Sequence, residues 1–187
     1  MRANRAASAQ GNMMTAFTPL LDAEALYQSL LNQIRPYAQA RAAAGQALAV
    51  VGIYSGGAWI AARLVADLGL EAAAGLIDVS FYRDDYAAKG LHAAVKPSQI
   101  PFDVNGAEIL LVDDVLYTGR TTRAAINELF DYGRPARILL AALVDRGGRE
   151  LPVAADFVAH IANFEPAVSI NLQRAEDGTL SFSIDHA

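Results

Sequence analysis

The chain of 187 residues contains no cysteine. That excludes a disulfide framework, a cysteine nucleophile and a cysteine-ligated zinc. Lysine is almost missing too. Lys89 and Lys96 are the only two, and the net charge is −5. Broad nonspecific binding to nucleic acid rests on neutralising phosphates, so this balance argues against it. Any basic patch must be built from arginine. No apolar run approaches the ~20 residues that span a bilayer, although 53% of residues are hydrophobic and mean hydropathy is +0.22. The richest run, Ile138–Val144, is the length of one strand. No Gly-Lys-Ser/Thr ending of a P-loop occurs, and no Gly-x-Gly-x-x-Gly follows a strand-like run, which disfavours a nucleoside triphosphatase and a dinucleotide site. His92, His160 and His186 fit no zinc spacing. The segment Met1–Thr15 carries Arg2 and Arg5 with no apolar block behind them, a poor secretory signal. It reads as a disordered leader before a single domain over 16–187, and the expected setting is cytoplasmic.

What is present is a regular alternation of apolar runs and helical patterns. Asp22–Ala44 reads as a helix, with Leu26, Leu30, Ile34 and Tyr37 at spacings of three and four. Asp22 is its expected cap, and Pro36 is expected to kink or divide it. Ala47–Ile53 is a continuous apolar run that breaks at Ser55-Gly56-Gly57, and Trp59–Leu68 resumes a helical pattern. Further strands are expected at Ala73–Tyr82, Glu108–Val115, Arg137–Val144 and Asp156–Ile161. Thr121–Tyr132 reads as a helix stopped by Gly133. The polar stretch Arg83–Pro101 has the length of a functional lid. Ser169–Leu172 and Leu180–Ile184 alternate weakly around Asp177-Gly178, as in a small hairpin. Strands alternating with helices imply an α/β fold with a mainly parallel sheet covered on both faces. Ligands in such sheets bind beyond the carboxyl ends of the strands, where both glycine turns fall.

The chemistry concentrates in Ile109–Thr122. Apolar residues run straight into Asp113 and Asp114. A buried strand does not end in adjacent carboxylates unless they meet water, a cation or a hydroxyl-rich ligand. Two carboxylates can accept hydrogen bonds from two vicinal sugar hydroxyls. Downstream, Tyr117-Thr-Gly-Arg-Thr-Thr122 places a glycine at a helix start, where backbone amides form a nest for an anion. The hydroxyls of Thr118, Thr121 and Thr122 add donors. Alone, the Asp-Asp pair reads equally well as a helix cap. With the glycine and the threonines it suits a ribose 5-phosphate.

This segment resembles the signature of the type I phosphoribosyltransferases that binds 5-phosphoribosyl-1-pyrophosphate (PRPP). The longer strings VDDVLYTGRTTRAA and YGRPARILLAALVDRGGRELPVAADFV are similar to the PyrR-type uracil phosphoribosyltransferases, which also regulate pyrimidine operons. The likeness runs from about Ala47 to Val158 and includes Ser80-Phe-Tyr-Arg-Asp-Asp85. It implies the type I fold with a flexible lid and a small hood. It implies that Asp113 and Asp114 hold the ribose hydroxyls and that Tyr117, Thr118, Gly119, Arg120, Thr121 and Thr122 cradle the 5-phosphate. Tyr54-Ser55-Gly56-Gly57 would be the pyrophosphate turn, with Gly56 standing where relatives often carry arginine. Arg83, in the lid, would neutralise the departing pyrophosphate. The base would lie near Asp145, Arg146, Val158 and His160. Purine enzymes of the family carry an aspartate where Tyr117 stands, so uracil is the expected base and UMP the product. The resemblance further implies magnesium held mainly through PRPP, with no protein-built metal site and with Gln173 where relatives place an aspartate. Pyr leader RNA and a homodimer or higher homo-oligomer are the implied partners.

Overall fold

A computed structural model describes residues 21–79 and 97–186. The expected leader over residues 1–15, Arg83, Lys89, His92 and Lys96 lie outside the described residues.

The first helix, α1, is Ala23–Ala43. Asp22 caps it, its side chain accepting from the Ala25 amide at 3.0 Å. The helix is not divided at Pro36. The proline is exposed, whereas Ile34 and Ala38 on either side of it are buried and pin the segment to the core. Strand β1, Leu48–Ile53, follows, then α2, Gly56–Leu68. Strand β2 is short, Gly75–Ile77. Of the strand expected over Ala73–Tyr82, the described residues 73–79 form it at Gly75–Ile77, and residues 80–82 lie outside the described residues. Gln99 bridges Leu76 from the outer side of β2, with backbone bonds of 2.7 and 2.8 Å, so the sheet edge is covered there. The next elements are β3, Glu108–Leu116, helix α3, Arg120–Tyr132, and β4, Arg137–Asp145. They are followed by β5, Phe157–Ile161, β6, Val168–Arg174, and β7, Leu180–His186.

Among the described residues the main sheet has five strands in the order β2-β1-β3-β4-β5, with every neighbouring pair parallel. The strand order reverses between β1 and β3, which makes that gap the switch point where a crevice opens. Strands β6 and β7 form the antiparallel hairpin expected around Asp177-Gly178, with Gly178 at φ 90°.

Strand alternation divides the core into two layers. Leu48, Val50, Leu110, Val112, Leu139 and Ala141 pack toward α1, α2 and the hairpin. Val51, Ile53, Ile109, Leu111, Leu140 and Ala142 pack toward α3. Burial on both faces is why these strands read as unbroken apolar runs. Each fully buried leucine or isoleucine contributes roughly 1.5–3 kcal/mol.

Polar groups pin α1 toward both of its ends. Tyr27 donates to Asp67 at 2.5 Å and lies under the Arg63 guanidinium, 4.0 Å from its ring centre. Burial, reinforced by the Asp67 carboxylate, holds its hydroxyl well above the usual phenol range. At the far end of the sheet, buried Glu108 accepts from the Tyr37 hydroxyl and faces Arg41 at 3.3 Å. That cluster sits at the amino end of β3, away from the crevice.

Gly133 ends α3 as expected, but not by a left-handed turn. Its φ of 165° is extended backbone. The space there is tight, since a Cβ would lie 3.0 Å from Asn105 Oδ1 and 3.1 Å from Val104 Cβ.

Candidate active site

Strand β3 is the middle of the sheet, and its residues Ile109–Val112 have no exposed surface. Asp113, 6% exposed, and Asp114, partly exposed, follow where the strand reaches the crevice. The Asp114 amide donates to Asp113 Oδ1 at 3.0 Å. Asp114 lies on the α2 side, against Gly56. By the alternation of the strand, Asp113 points to the α3 side. The two carboxylates therefore lie on opposite faces of β3 near its carboxyl end, which continues to Leu116.

The turn after β1 is tighter than its sequence suggests. Tyr54 donates its amide to Ile77 O at 2.9 Å, and the Tyr54-Ser55 peptide is cis. Helix α2 then starts at Gly56, three residues earlier than the sequence pattern indicates. Both glycines belong to its first turn and are buried. A Cβ on Gly57 would lie 2.3 Å from Val112 O. One on Gly52 would lie 2.5 Å from Gly57 O, and one on Gly56 2.4 Å from Asp114 Oδ2. Three glycines thus let the helix start press against β1 and β3. Ser55, the cap residue, makes no side-chain cap bond and is exposed.

Helix α3 opens at Gly119, whose φ of 92° is left-handed and whose lack of a side chain leaves the helix start without a side-chain cap. Thr118 and Thr122 are buried, at 5% and 1% exposure. Thr118 Oγ1 accepts from the Arg120 amide at 3.3 Å. The Thr122 hydroxyl is enclosed with no hydrogen-bond partner among the described residues. Arg120 extends its guanidinium to exposed Glu150, at 2.6 Å. Such a surface pair contributes little to stability.

The loop after β4 wraps this segment. Arg146, 6% exposed, lies 4.2 Å from the centre of the Tyr117 ring, and its Nη2 donates to Glu165 O at 3.0 Å. A Cβ on Gly148 would lie 2.3 Å from the same ring. Tyr117 is therefore wedged between Arg146 and the Gly148 backbone. Asp145 uses both carboxylate oxygens within the loop, Oδ1 on the Gly147 amide at 3.0 Å and Oδ2 on Arg149 at 2.5 Å. Val158 and His160 stand in β5, opposite Ala142 and Val144. The Val158 carbonyl accepts from Gln33 at 2.9 Å, and His160 Nε2 is enclosed without a partner among the described residues.

The structure thus brings Gly56 against Asp114 and Gly57 against the Val112–Asp113 backbone, leaves Ser55 exposed, and sets Tyr117–Gly119 against the Asp145–Val153 loop. Sequence reasoning missed Arg149. It donates from Nε to Val153 O at 3.0 Å, from Nη1 to Tyr117 O, and to Asp145. An arginine in a loop between two glycines and a glutamate looks like a solvated charge. Only the fold reveals three acceptors converging on it. Two surface clefts of about 510 and 590 Å³ lie elsewhere, one along Arg123–Tyr132 and one between α1, α2 and the hairpin.

Residues 22–171 match the family model of the phosphoribosyl transferase domain. The chain belongs to the phosphoribosyltransferase family. Within it, the chain falls with the PyrR proteins. It is 56% identical to the bifunctional protein PyrR of Ralstonia nicotianae over 158 residues, 84% of this chain and 89% of that protein. It is 49% identical to the bifunctional protein PyrR of Nitrosococcus oceani, over 74% of this chain and 78% of the other. Among solved structures, hypoxanthine phosphoribosyltransferase of Trypanosoma cruzi superposes with a TM-score of 0.60 at 21% identity, covering 81% of this chain and 80% of that one. The Staphylococcus aureus enzyme gives 0.58 at 20%, covering 81% of each. These two share the fold. As a phosphoribosyltransferase, the protein places its acid pair and its helix-start amides at the switch point of the sheet.

Proposed function

We propose that the protein transfers the phosphoribosyl group of PRPP to N1 of uracil, giving UMP and pyrophosphate, and that it also regulates pyrimidine genes through leader RNA. The observation that carries the first part is the bracketing of β3 by Asp113 and Asp114 beside the open helix start at Gly119. In this reading the two carboxylates take the 2- and 3-hydroxyls of the ribose. Amides of Thr118–Thr122 and the enclosed hydroxyl of Thr122 take the 5-phosphate. The glycine-lined turn Ser55–Gly57 meets the pyrophosphate mainly with backbone, since a Cβ at Gly56 would lie 2.4 Å from Asp114 Oδ2.

The reaction breaks the bond from the anomeric carbon to pyrophosphate and forms a bond from that carbon to uracil N1, which loses its proton. Positive charge develops on the ribose ring in between, and the nearby carboxylates stabilise it. Catalysis is positioning and electrostatics rather than covalent chemistry. Tyr117 puts a wedged aromatic ring, not a carboxylate, beside the base loop, in keeping with a pyrimidine. Arg83 is assigned to the departing pyrophosphate. Asp145 serves the base site through the loop it orders, with Arg146, Val158 and His160 around it. Magnesium supplies charge neutralisation to the pyrophosphate. Among the described residues no three acidic or histidine side chains converge to hold a metal. The expected magnesium is carried mainly by PRPP oxygens and water, the hard oxygen donors this cation prefers. The expected assembly is a homodimer or larger. PRPP is an intracellular metabolite, which places the proposed reaction in the cytoplasm.

Uracil, PRPP and magnesium should yield UMP and pyrophosphate, and orotate, hypoxanthine and xanthine should be turned over at least about tenfold less well, as a lost buried polar contact dictates. A folded protein inactive on all four bases sinks the enzyme reading. The regulatory reading is supported by the name of the relatives, bifunctional protein PyrR. It predicts a gel shift of the protein's own pyrimidine leader RNA that strengthens with UMP and weakens with salt. No UMP-dependent shift at low salt removes it.

A further inference from the structure

The carbonyls of Tyr117 and Thr118 are both captured by one stretch of the loop after β4. Tyr117 O accepts from Arg149 Nη1. Thr118 O accepts from the Glu150 amide at 3.0 Å and the Leu151 amide at 3.1 Å. In a trans peptide the carbonyl and the following N–H point in opposite directions. The two peptides concerned are trans. With both carbonyls turned toward residues 149–151, the amides of Thr118 and Gly119 are turned to the opposite side together. Two successive amides directed the same way, with a left-handed residue closing the pair, form an anion nest. Gly119 at φ 92° is that residue, and Leu151 and Val153 lie 3.4 Å from where its Cβ would be.

Arg149 is the member of this stretch that acts through its side chain. Its three donor groups reach Val153 O, Tyr117 O and Asp145 Oδ2. The Asp145 carboxylate neutralises the guanidinium and lets it lie mostly covered, at 23% side-chain exposure. Lysine offers one charged point with a different reach, so it cannot span the three acceptors.

We infer that Arg149 is a positioning residue that ties the base loop to the 5-phosphate loop and orients the Thr118 and Gly119 amides toward the phosphate. The inference rests on the phosphoribosyl-transfer reading and deepens it. Base and phosphate subsites are then mechanically joined through one guanidinium. Disorder in the base loop releases the Tyr117 carbonyl and loosens the phosphate grip.

The test compares the parent with Arg149→Lys and Arg149→Met. Binding of PRPP and of ribose 5-phosphate is measured by calorimetry, steady-state kinetics are run with uracil, and folding is followed by thermal melts. Ribose 5-phosphate isolates the phosphate end, because it carries no pyrophosphate. Both variants should bind it about tenfold more weakly or worse, the size of a lost charged hydrogen bond. The KM for PRPP should rise with it. In Arg149→Ala, added methylguanidinium should restore part of the lost affinity. A purely structural role predicts lower melting with unchanged ligand affinity in the folded fraction. That result, or parent-like ribose 5-phosphate binding in folded Arg149→Lys, overturns the inference. A parent protein that binds neither ligand overturns the phosphoribosyl reading instead, so the two failures are distinct.

Discussion

Asp113→Asn and Asp114→Asn should each lower kcat/KM for PRPP by about 100-fold or more while leaving the protein folded. The size follows from the charge that develops on the ribose ring as pyrophosphate leaves. A carboxylate ~5 Å from a unit positive charge, at an effective dielectric of 20, is worth roughly 3 kcal/mol. That corresponds to a factor of roughly 100 in rate. Asparagine keeps the shape and one acceptor oxygen, so the Asp114 amide still finds its partner at position 113. What is lost is the negative charge. The loss should fall more on kcat than on KM, because the ribose is neutral in the ground state and cationic only near the transition state. Steady-state kinetics of both variants decide the matter. Two folded asparagine variants within threefold of the parent would remove the acid pair from the mechanism. The double variant should lose less than the product of the two, since both carboxylates act on one charge.

The acid pair stood out in the sequence because adjacent carboxylates interrupt a buried apolar strand, although β3 runs on past them to Leu116. The glycine-threonine turn was legible for a similar reason. The parallel sheet followed from apolar runs that do not alternate, and its layers follow from residue parity along β1, β3 and β4. Other features depend on what comes near in space. The α2 start was placed at Trp59 because glycine signals a turn, whereas Gly56 and Gly57 are helical residues kept small by the neighbouring β3. Gly133 was read as a helix stop, which it is, but its neighbours Asn105 and Val104 lie across a loop that the sequence does not show. Asp145 was read as a ligand group, and the fold shows its oxygens engaged with Gly147 and Arg149. Arg149 itself gave no signal, because the Tyr117 carbonyl that makes it a link between two loops lies 32 residues away in the chain. Contacts of that separation leave no local pattern to read.

The same distinction between local signal and spatial constraint sets the second large effect. Gly57→Ala should destabilise the protein by about 3 kcal/mol or more, as overpacking against rigid neighbours does. For a chain of this size, that is a fall in melting temperature of roughly 6–12 °C. The added Cβ would lie 2.3 Å from Val112 O and 3.1 Å from Asp113 Cα. Both are backbone atoms of the central strand, held by ladders to β1 and β4. They cannot rotate away as a side chain can, so α2 itself must shift. Gly69→Ala is the control. Its φ of 65° is unfavourable for alanine, but nothing lies within 4 Å of the new Cβ, so only about 1 kcal/mol is expected. Gly56→Ala separates the two kinds of damage. Its Cβ would meet the Asp114 side chain, with Oδ2 at 2.4 Å and Cβ at 2.8 Å. That contact displaces a carboxylate of the site. PRPP affinity should therefore fall in Gly56→Ala by more than its melting point indicates, and in Gly57→Ala stability should fall first. Melting curves and PRPP calorimetry on the three variants check the order. A Gly57→Ala protein that melts with the parent would mean that α2 does not press on β3 as closely as the structure places it, and the backbone grip on pyrophosphate would lose its support.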